Sequence, residues 1–410
     1  MIEAAVLTIG DELVSGEIID TNSAIIASSL QKAGVAVRKC LTVGDESAEI
    51  AGTLEQLISN YRIIIVSGGL GPTGDDITRE ATARACGRKL KYNDESAARI
   101  EKLFSRRNIK FTDNNFRQAY FPEGAEILDN ERGTAPGFKC QQDNTAIYVL
   151  PGVPDEMETM LTEKVMPDIL KLNSDVKPLI QKKYQVIGLG EAELEDKIKK
   201  IISNYTGVYF SFLPRGGVIE IKLTCSPEKE ELLSRAEREL ERKLDSYIFG
   251  RGDETLTGKI GEMLKNSSRT IATAESITGG LLGKRLTDRA GSSEFFAGGV
   301  ISYSRESKIK LLGVPRELLA SRGEVDSEVA KLMACGVREL LAADIGLAVT
   351  GYAGPEAVDN NVGLVFGGLA VEGRHSSARW NLAGDRKRIR WLTAQFAFNL
   401  VRKYLLEEIT

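Results

Sequence analysis

The sequence predicts an α/β protein: two α/β domains joined by a small α+β domain. Three observations predict it. At 410 residues the chain is too long for one ordinary hydrophobic core. Short apolar runs alternate with amphipathic stretches over roughly the first 165 residues and again after residue 252, as in sheets covered by helices. Between these regions the order changes to β-α-β-β-α. The resulting boundaries are 1–170, 171–252 and 253–410.

The elements follow in order. AAVLTI (4–9) ends at Gly10, as a buried parallel strand would. Thr21 or Asp20 can cap a helix running to Leu30 and closed by Gly34. VAVRKCLTV (35–43) reads as a strand, Ser47 can cap a helix holding Ile50, Leu54 and Leu57, and RIIIVS (62–67) is another buried strand. Helix, strand and loop continue to AIYVLPGVP (146–154), and the alternation predicts a parallel sheet with helices on both faces. In the middle region KYQVIGL (183–189) is a strand and Ala192–Ile202 a helix. GVYFSF (207–212) and VIEIKLTC (218–225) flank the turn Pro214-Arg215-Gly216-Gly217, and a charged helix covers 229–244. GRGDET (250–255) reads as a linker. TIATAES, FFAGGVISYS, ADIGLAVTG and VGLVFGGLAVEG then form the second α/β unit. In the last helix Ile389, Leu392, Phe396, Leu400 and Tyr404 recur at helical spacing and predict one buried face.

Composition narrows the function classes. A net charge of −4 provides no basic footprint for non-specific nucleic-acid binding. No run approaches the ~18–20 apolar residues of a membrane span, and MIEAAVLTIGDEL lacks a basic leader region. A cytoplasmic protein is expected, with neither nucleic acid nor membrane as partner. Cys40, Cys86, Cys140, Cys225 and Cys335 are scattered and never in CxxC spacing, which predicts reduced, mostly buried thiols. The single histidine, His375, lies in EGRHSS, read as a loop or hairpin turn. One histidine in such a stretch argues against a Ser-His-Asp triad or a multi-histidine zinc site, so acid–base chemistry is expected from carboxylates, lysine, tyrosine or hydroxyls.

Two glycine-rich turns carry the candidate chemistry. GGLGPTGDD (68–76) follows a buried strand, and Gly69, Gly71 and Gly74 formally satisfy GxGxxG. Pro72 interrupts that pattern, and Asp75 and Asp76 would repel a bare pyrophosphate unless a divalent cation lay between them. The alternative is a plain glycine turn with Asp76 as helix N-cap. In the second turn Ser276 ends the strand TIATAE before Thr278-Gly279-Gly280. It is either an N-cap or a nucleophile exposed beside unpaired backbone N–H groups. Without histidine its base would be a lysine, and Lys308 is a candidate that could equally be a solvated surface residue.

The motifs GDELVSGEIIDTN (10–22), VGD (43–45), GGLGPTGDDIT (68–78), PEGAEIL (122–128), GTAPGF (133–138) and LPGVPDEM (150–157) occur in this order. Together they resemble the N-terminal domain of the CinA (competence/damage-inducible) family, which shares its fold with molybdopterin-binding MogA/MoaB proteins. That likeness implies metal-dependent ADP-ribose pyrophosphatase activity. Asp45 and Asp76 match acidic positions of the molybdopterin-binding relatives, with Asp75 and Glu156 as further metal candidates. Gly68, Gly69 and Gly71 are implied substrate contacts.

AESITGG (274–280), GSSEFFAGG (291–299), SYSRESK (302–308), LGV (312–314), TGYAGP (350–355) and GDR (384–386) are similar to the nicotinamide-nucleotide amidase domain of the same family. The resemblance implies Ser276 as nucleophile, Lys308 as general base, and Tyr303 and Thr350 as polar partners. Arg386 would bind the anionic part of nicotinamide mononucleotide, with Gly279 and Gly280 beside it. No cofactor is implied for this domain, and a homodimer is expected. Two departures stand out. EAVDNNVG (356–363) lacks the family's second glycine-rich turn, and Asp326 replaces a usual serine, though both residues cap helices well.

Overall fold

The protein is described by a computed structural model covering residues 2–107, 110–172, 177–356 and 361–409. Its contacts form two compact units, Met1–Ile180 with Ser226–Glu228, and Gln181–Cys225 with Lys229–Thr410.

The first unit holds a six-stranded sheet in the order Ala36–Val43, Glu3–Ile9, Ile63–Ser67, Thr145–Leu150, Gly137–Gln142, Glu126–Leu128. The first four strands are parallel and the last two antiparallel, which corrects the expected all-parallel sheet. The cause is a tight turn at Asp143-Asn144 that pairs Gln142 with Thr145; Asp143 takes a φ of +50°, a conformation aspartate tolerates. Side chains alternate across the sheet. Ala5, Leu7, Ile64 and Val66 pack on Ile50, Leu54 and Leu57 of helix Ser47–Ile58. Ala4, Val6, Ile63 and Ile65 pack on Ile26 and Leu30 of helix Asn22–Lys32. Burial on both faces explains why the strands read as unbroken apolar runs. Each such Leu or Ile contributes about 1.5–3 kcal/mol. Asp20, not Thr21, caps Asn22–Lys32, its Oδ1 accepting from the Ser23 N–H at 3.0 Å. Ser47 is the first helical residue rather than a cap.

The second unit contains two sheets. The smaller has the order Tyr209–Arg215, Val218–Cys225, Ile180–Ile187, Ile248–Arg251, with helices Glu191–Asn204 and Glu230–Leu244. Its hairpin turns at Gly216 and Gly217, whose φ values of +56° and +89° suit a two-residue primed turn. Gly250 and Arg251 pair with Gln185 and Tyr184, so the expected linker begins inside a strand. Thr255 then caps helix Leu256–Asn266 by accepting from the Gly258 N–H.

The larger sheet runs Phe296–Ile301, Ile271–Glu275, Ile345–Gly351, Leu364–Val371, Arg374–Asn381, the first three parallel and the rest antiparallel. Ile271, Leu347 and Val349 face helices Leu256–Asn266 and Arg386–Ile409; Ala272, Ala274 and Ala348 face Met333 and Val337 of helix Ser327–Leu340. The small residues let that helix come close. A Cβ on Gly346 would lie 2.0 Å from the Ala334 carbonyl oxygen. In the last helix Ile389, Phe398, Val401 and Leu405 are buried deepest, whereas Phe396, Leu400 and Tyr404 of the expected stripe are half-buried. His375 is not in the turn but in strand Arg374–Asn381, opposite Ala370. Among the described residues no helix is long and apolar enough to cross a membrane. No disulfide joins the cysteines among the described residues; Cys86, Cys140 and Cys225 are buried and Cys40 is exposed.

Candidate active site

Three neighbouring strands of the larger C-terminal sheet deliver the site. Their register sets Glu275 opposite Ile301 on one side and Val349 on the other. Ser276, Ser302 and Thr350 therefore stand side by side at the carboxyl ends of parallel strands, where open α/β sheets bind ligands.

Ser276 is not a cap. The following helix, Leu281–Thr287, starts at Gly280, and its exposed donors are met by Glu275. The buried Glu275 carboxylate accepts from the N–H groups of Gly280 (2.9 Å), Leu282 (3.0 Å) and Gly283 (2.8 Å), and from the Thr278 hydroxyl (2.7 Å). A negative charge is favourable there because helical dipoles sum to a positive end. Arg390 ties the other side of the turn, donating to the carbonyls of Ile277 (3.1 Å) and Thr278 (2.5 Å). Gly279 and Gly280 adopt φ of +56° and +96°, so their role is conformational. The Gly280 N–H is spent on Glu275 and so is not free for a ligand, and neither glycine is among the residues lining the cavity. The N–H groups of Ile277 and Gly279 meet no acceptor among the described residues.

Lys308 is no surface lysine. It lies in helix Arg305–Leu312, which opens with a capping box of Ser304 and Ser307, and its side chain is fully buried. Its Nζ stands 3.2 Å from Ser276 Oγ, 3.0 Å from the Ser302 carbonyl, 3.1 Å from Glu324 Oε2 and 3.4 Å from the Tyr303 carbonyl. Thr350 Oγ1 donates to the Glu324 carbonyl at 2.7 Å and so fixes the loop bearing that carboxylate. Arg386 donates to the Gly354 carbonyl at 2.8 Å and to the Tyr303 hydroxyl at 3.3 Å. A cavity of about 340 Å³, lined among others by Ser276, Tyr303, Arg305, Glu324, Thr350 and Arg386, opens beside the pair. Its volume is at the lower end for small-molecule sites, and its two arginines suit an anionic ligand. Asp326 caps helix Ser327–Leu340 through the Glu328 N–H at 2.7 Å. Of the unusual 356–363 loop, residues 357–360 lie outside the described residues.

The glycine turn of the first unit is organised differently. Asp76 is not the N-cap of helix Thr78–Ala85, since Ile77 occupies that position. Its carboxylate folds back and accepts from the N–H groups of Gly71 (2.7 Å) and Thr73 (2.8 Å) and from the Thr73 hydroxyl. Buried Arg79 donates to the carbonyls of Leu70 and Gly71. Gly68 and Gly69 are sterically required, because added Cβ atoms would lie 2.2 Å from the Ile9 carbonyl oxygen and 2.1 Å from Thr78 Oγ1. The Asp45 and Asp11 carboxylates each accept from the other's backbone N–H, and burial, with Asp11, Glu12 and Asp75 nearby, pushes the Asp45 carboxyl up. Glu156 is engaged with Asn130, whose Nδ2 donates to it at 2.7 Å. Asp45, Asp75, Asp76 and Glu156 thus do not assemble into the expected ligand set. Among the described residues no group of three or more His, Cys, Asp or Glu side chains is placed to hold a metal ion.

Glu275, Arg305, Glu324 and Arg390 were not anticipated. Glu275 had one usable signal, an acid directly before a Thr-Gly-Gly turn that opens a helix. Glu324 had none, because only the fold brings it to Lys308.

Known proteins match every part of this architecture. Residues 5–171 match the probable molybdopterin binding domain, 181–250 the damage-inducible protein CinA KH domain, and 253–405 the CinA C-terminal domain. A putative competence-damage inducible protein of Halothermothrix orenii is 41% identical over 409 residues, covering 98% of each chain. A CinA-like protein of Geobacter metallireducens is 39% identical over 410 residues, covering 98% of this chain and 99% of its own. The crystal structure of the protein CinA from Thermoplasma acidophilum aligns with 40% of this chain and 97% of its own, at 34% identity and a TM-score of 0.38. The chain belongs to the CinA family, with a MoaB-like domain and a CinA C-terminal domain joined by a small KH-like domain.

Proposed function

We propose that the C-terminal domain hydrolyses the carboxamide of nicotinamide mononucleotide, giving nicotinate mononucleotide and ammonia. The observation that carries this reading is the 3.2 Å contact between Ser276 Oγ and the buried Lys308 Nζ, beside a cavity lined by two arginines. A nucleophilic hydroxyl needs a base within hydrogen-bond reach, and Lys308 is that group. As a neutral amine it takes the Ser276 proton while Oγ attacks the carboxamide carbon. The N–H groups of Ile277 and Gly279 are the candidate donors for the oxyanion. The Lys308 ammonium then protonates the departing nitrogen, the C–N bond breaks and ammonia leaves an acyl-enzyme. Water, giving its proton to Lys308, attacks the ester; the C–O bond to Ser276 breaks and the proton returns to Oγ. Arg386 and Arg305, which both line the cavity, would hold the substrate's phosphate.

No metal or cofactor takes part in this scheme. ADP-ribose hydrolysis by the N-terminal domain is supported by family resemblance alone, and no step is assigned to a cation there. Ammonia release from nicotinamide mononucleotide by the purified chain, with and without chelator, tests the reading. Release that survives chelation is expected; absence of release under both conditions overturns it.

A further inference from the structure

We propose that Glu324 is a further positioning residue of this site, acting on the reaction through Lys308: it orients the amine and holds it in the charged form. The inference rests on the amide-hydrolysis reading for its catalytic meaning. Its physical basis is the set of groups around one nitrogen. An ammonium has three N–H donors. Three short contacts surround Lys308 Nζ, to the Ser302 carbonyl, Glu324 Oε2 and Ser276 Oγ, with the Tyr303 carbonyl farther away. With all three N–H groups occupied, the ammonium donates to Ser276 and has no lone pair to accept its proton.

Among the described residues Glu324 is the one anion in direct contact with that nitrogen. The Glu275 carboxylate is spent on Gly280, Leu282, Gly283 and Thr278. The cations nearby are Arg386, bonded to the Gly354 carbonyl and the Tyr303 hydroxyl, and Arg305, whose Nε lies 3.6 Å from Glu324 Oε1. Lys308 is fully buried while the Glu324 side chain is 35% exposed, so the pair joins a dry nitrogen to a carboxylate at the cavity wall. An opposite charge at this distance favours the ammonium, and a buried ammonium without its partner is strongly disfavoured. Glu324 therefore holds the amine beside Ser276 and opposes loss of the proton that must leave before the serine can be activated. Arg305 competes for the same carboxylate, which makes the strength of the pair adjustable from the cavity.

Glu324→Gln is near-isosteric, and the Thr350 bond to residue 324 uses the backbone, so the loop should persist. Two measurements on the full chain test the proposal. In the pH profile of kcat/KM for ammonia release, the acidic limb of Glu324→Gln should lie about 1–3 pH units below that of the parent. Glu324→Asp, which keeps the charge, should restore most of the difference. Independently of any substrate, the 13Cε resonance of Lys308, assigned by its loss in Lys308→Met, should pass from its ammonium to its amine position at lower pH in Glu324→Gln. An unchanged passage in Glu324→Gln overturns the proposal. A shifted passage without ammonia release in either protein upholds the link from Glu324 to Lys308 and overturns the substrate reading instead.

Discussion

Each unit has a buried parallel strand that runs into a glycine-rich turn and then a helix, yet the two turns spend their polar groups in opposite ways. In the first, Asp76 lies after the glycines and folds back onto the N–H groups of Gly71 and Thr73. Those are the donors a phosphate would otherwise use, so the turn satisfies itself. In the second, Glu275 lies before the glycines and takes the N–H groups of Gly280, Leu282 and Gly283. The carboxylate again consumes the helix start, but the residue between acid and turn is Ser276, and its hydroxyl is left for Lys308. A glycine-rich turn is therefore not in itself a site. What matters is which polar groups remain once the turn has closed.

The largest effect should come from removing what the second turn leaves over. Ser276→Ala should reduce ammonia release by about 10⁴-fold or more, because nucleophile and base act as one unit. Since Ser276 caps no helix, thermal denaturation should show a stability loss below about 1.5 kcal/mol, the worth of one hydrogen bond. Lys308→Met should lose comparable activity, and the double variant should be scarcely worse than either single one. Ready turnover by Ser276→Ala would reduce this turn to a structural twin of the first.

Next come the two carboxylates themselves, compared directly. Glu275→Gln turns an acceptor of four hydrogen bonds into a group whose NH₂ opposes donors, deep in the core. It should cost about 3 kcal/mol or more and carry ammonia release down with it. Asp76→Ala removes an acceptor from a turn that water can reach, so the loss should be nearer about 1–2 kcal/mol. Ammonia release should be unaffected, while any chelator-sensitive ADP-ribose hydrolysis should disappear. Denaturation curves with both assays on both variants decide the matter. Equal loss of ammonia release would mean that the two turns are not independent.

How much of this was legible depends on the range of the interactions. The strands around Val6, Ile64 and Leu347 were plain, because burial on both faces demands apolar residues at every position. The Asp143-Asn144 turn was missed, and with it the reversed strand Gly137–Gln142 of the first sheet, since two polar residues between apolar runs also read as an ordinary loop. Ser276 and Lys308 were set apart from a cap and a surface lysine by family resemblance; spacing alone left both alternatives open. From the sequence Asp76 reads as a metal candidate with a helix cap as the alternative, yet the helix starts at Thr78 and the carboxylate is taken up by the turn. Glu324 meets Lys308 only because the fold sets the loop bearing one against the helix bearing the other. No local pattern encodes that meeting.

The smallest effect concerns the acids of the first unit. Burial, with Asp11, Glu12 and Asp75 nearby, holds the Asp45 carboxyl above the usual range in the folded state. The folded protein therefore binds that proton more tightly than the unfolded chain does. As pH rises through the interval between the unfolded and folded values, stability is lost, and above the folded value the whole penalty of the ionised carboxylate is present. Asp45→Asn keeps an oxygen for the Asp11 N–H and removes the charge. It should thus be more stable than the parent at neutral pH, by less than about 1 kcal/mol because the group is only partly buried. In acid, where Asp45 is protonated anyway, the advantage should vanish. Melting temperatures of the two proteins from about pH 3 to pH 8 give the check. A difference that stays constant across that range would mean that charge repulsion is not what sets this corner apart from the second turn, where every acid at the site has a partner.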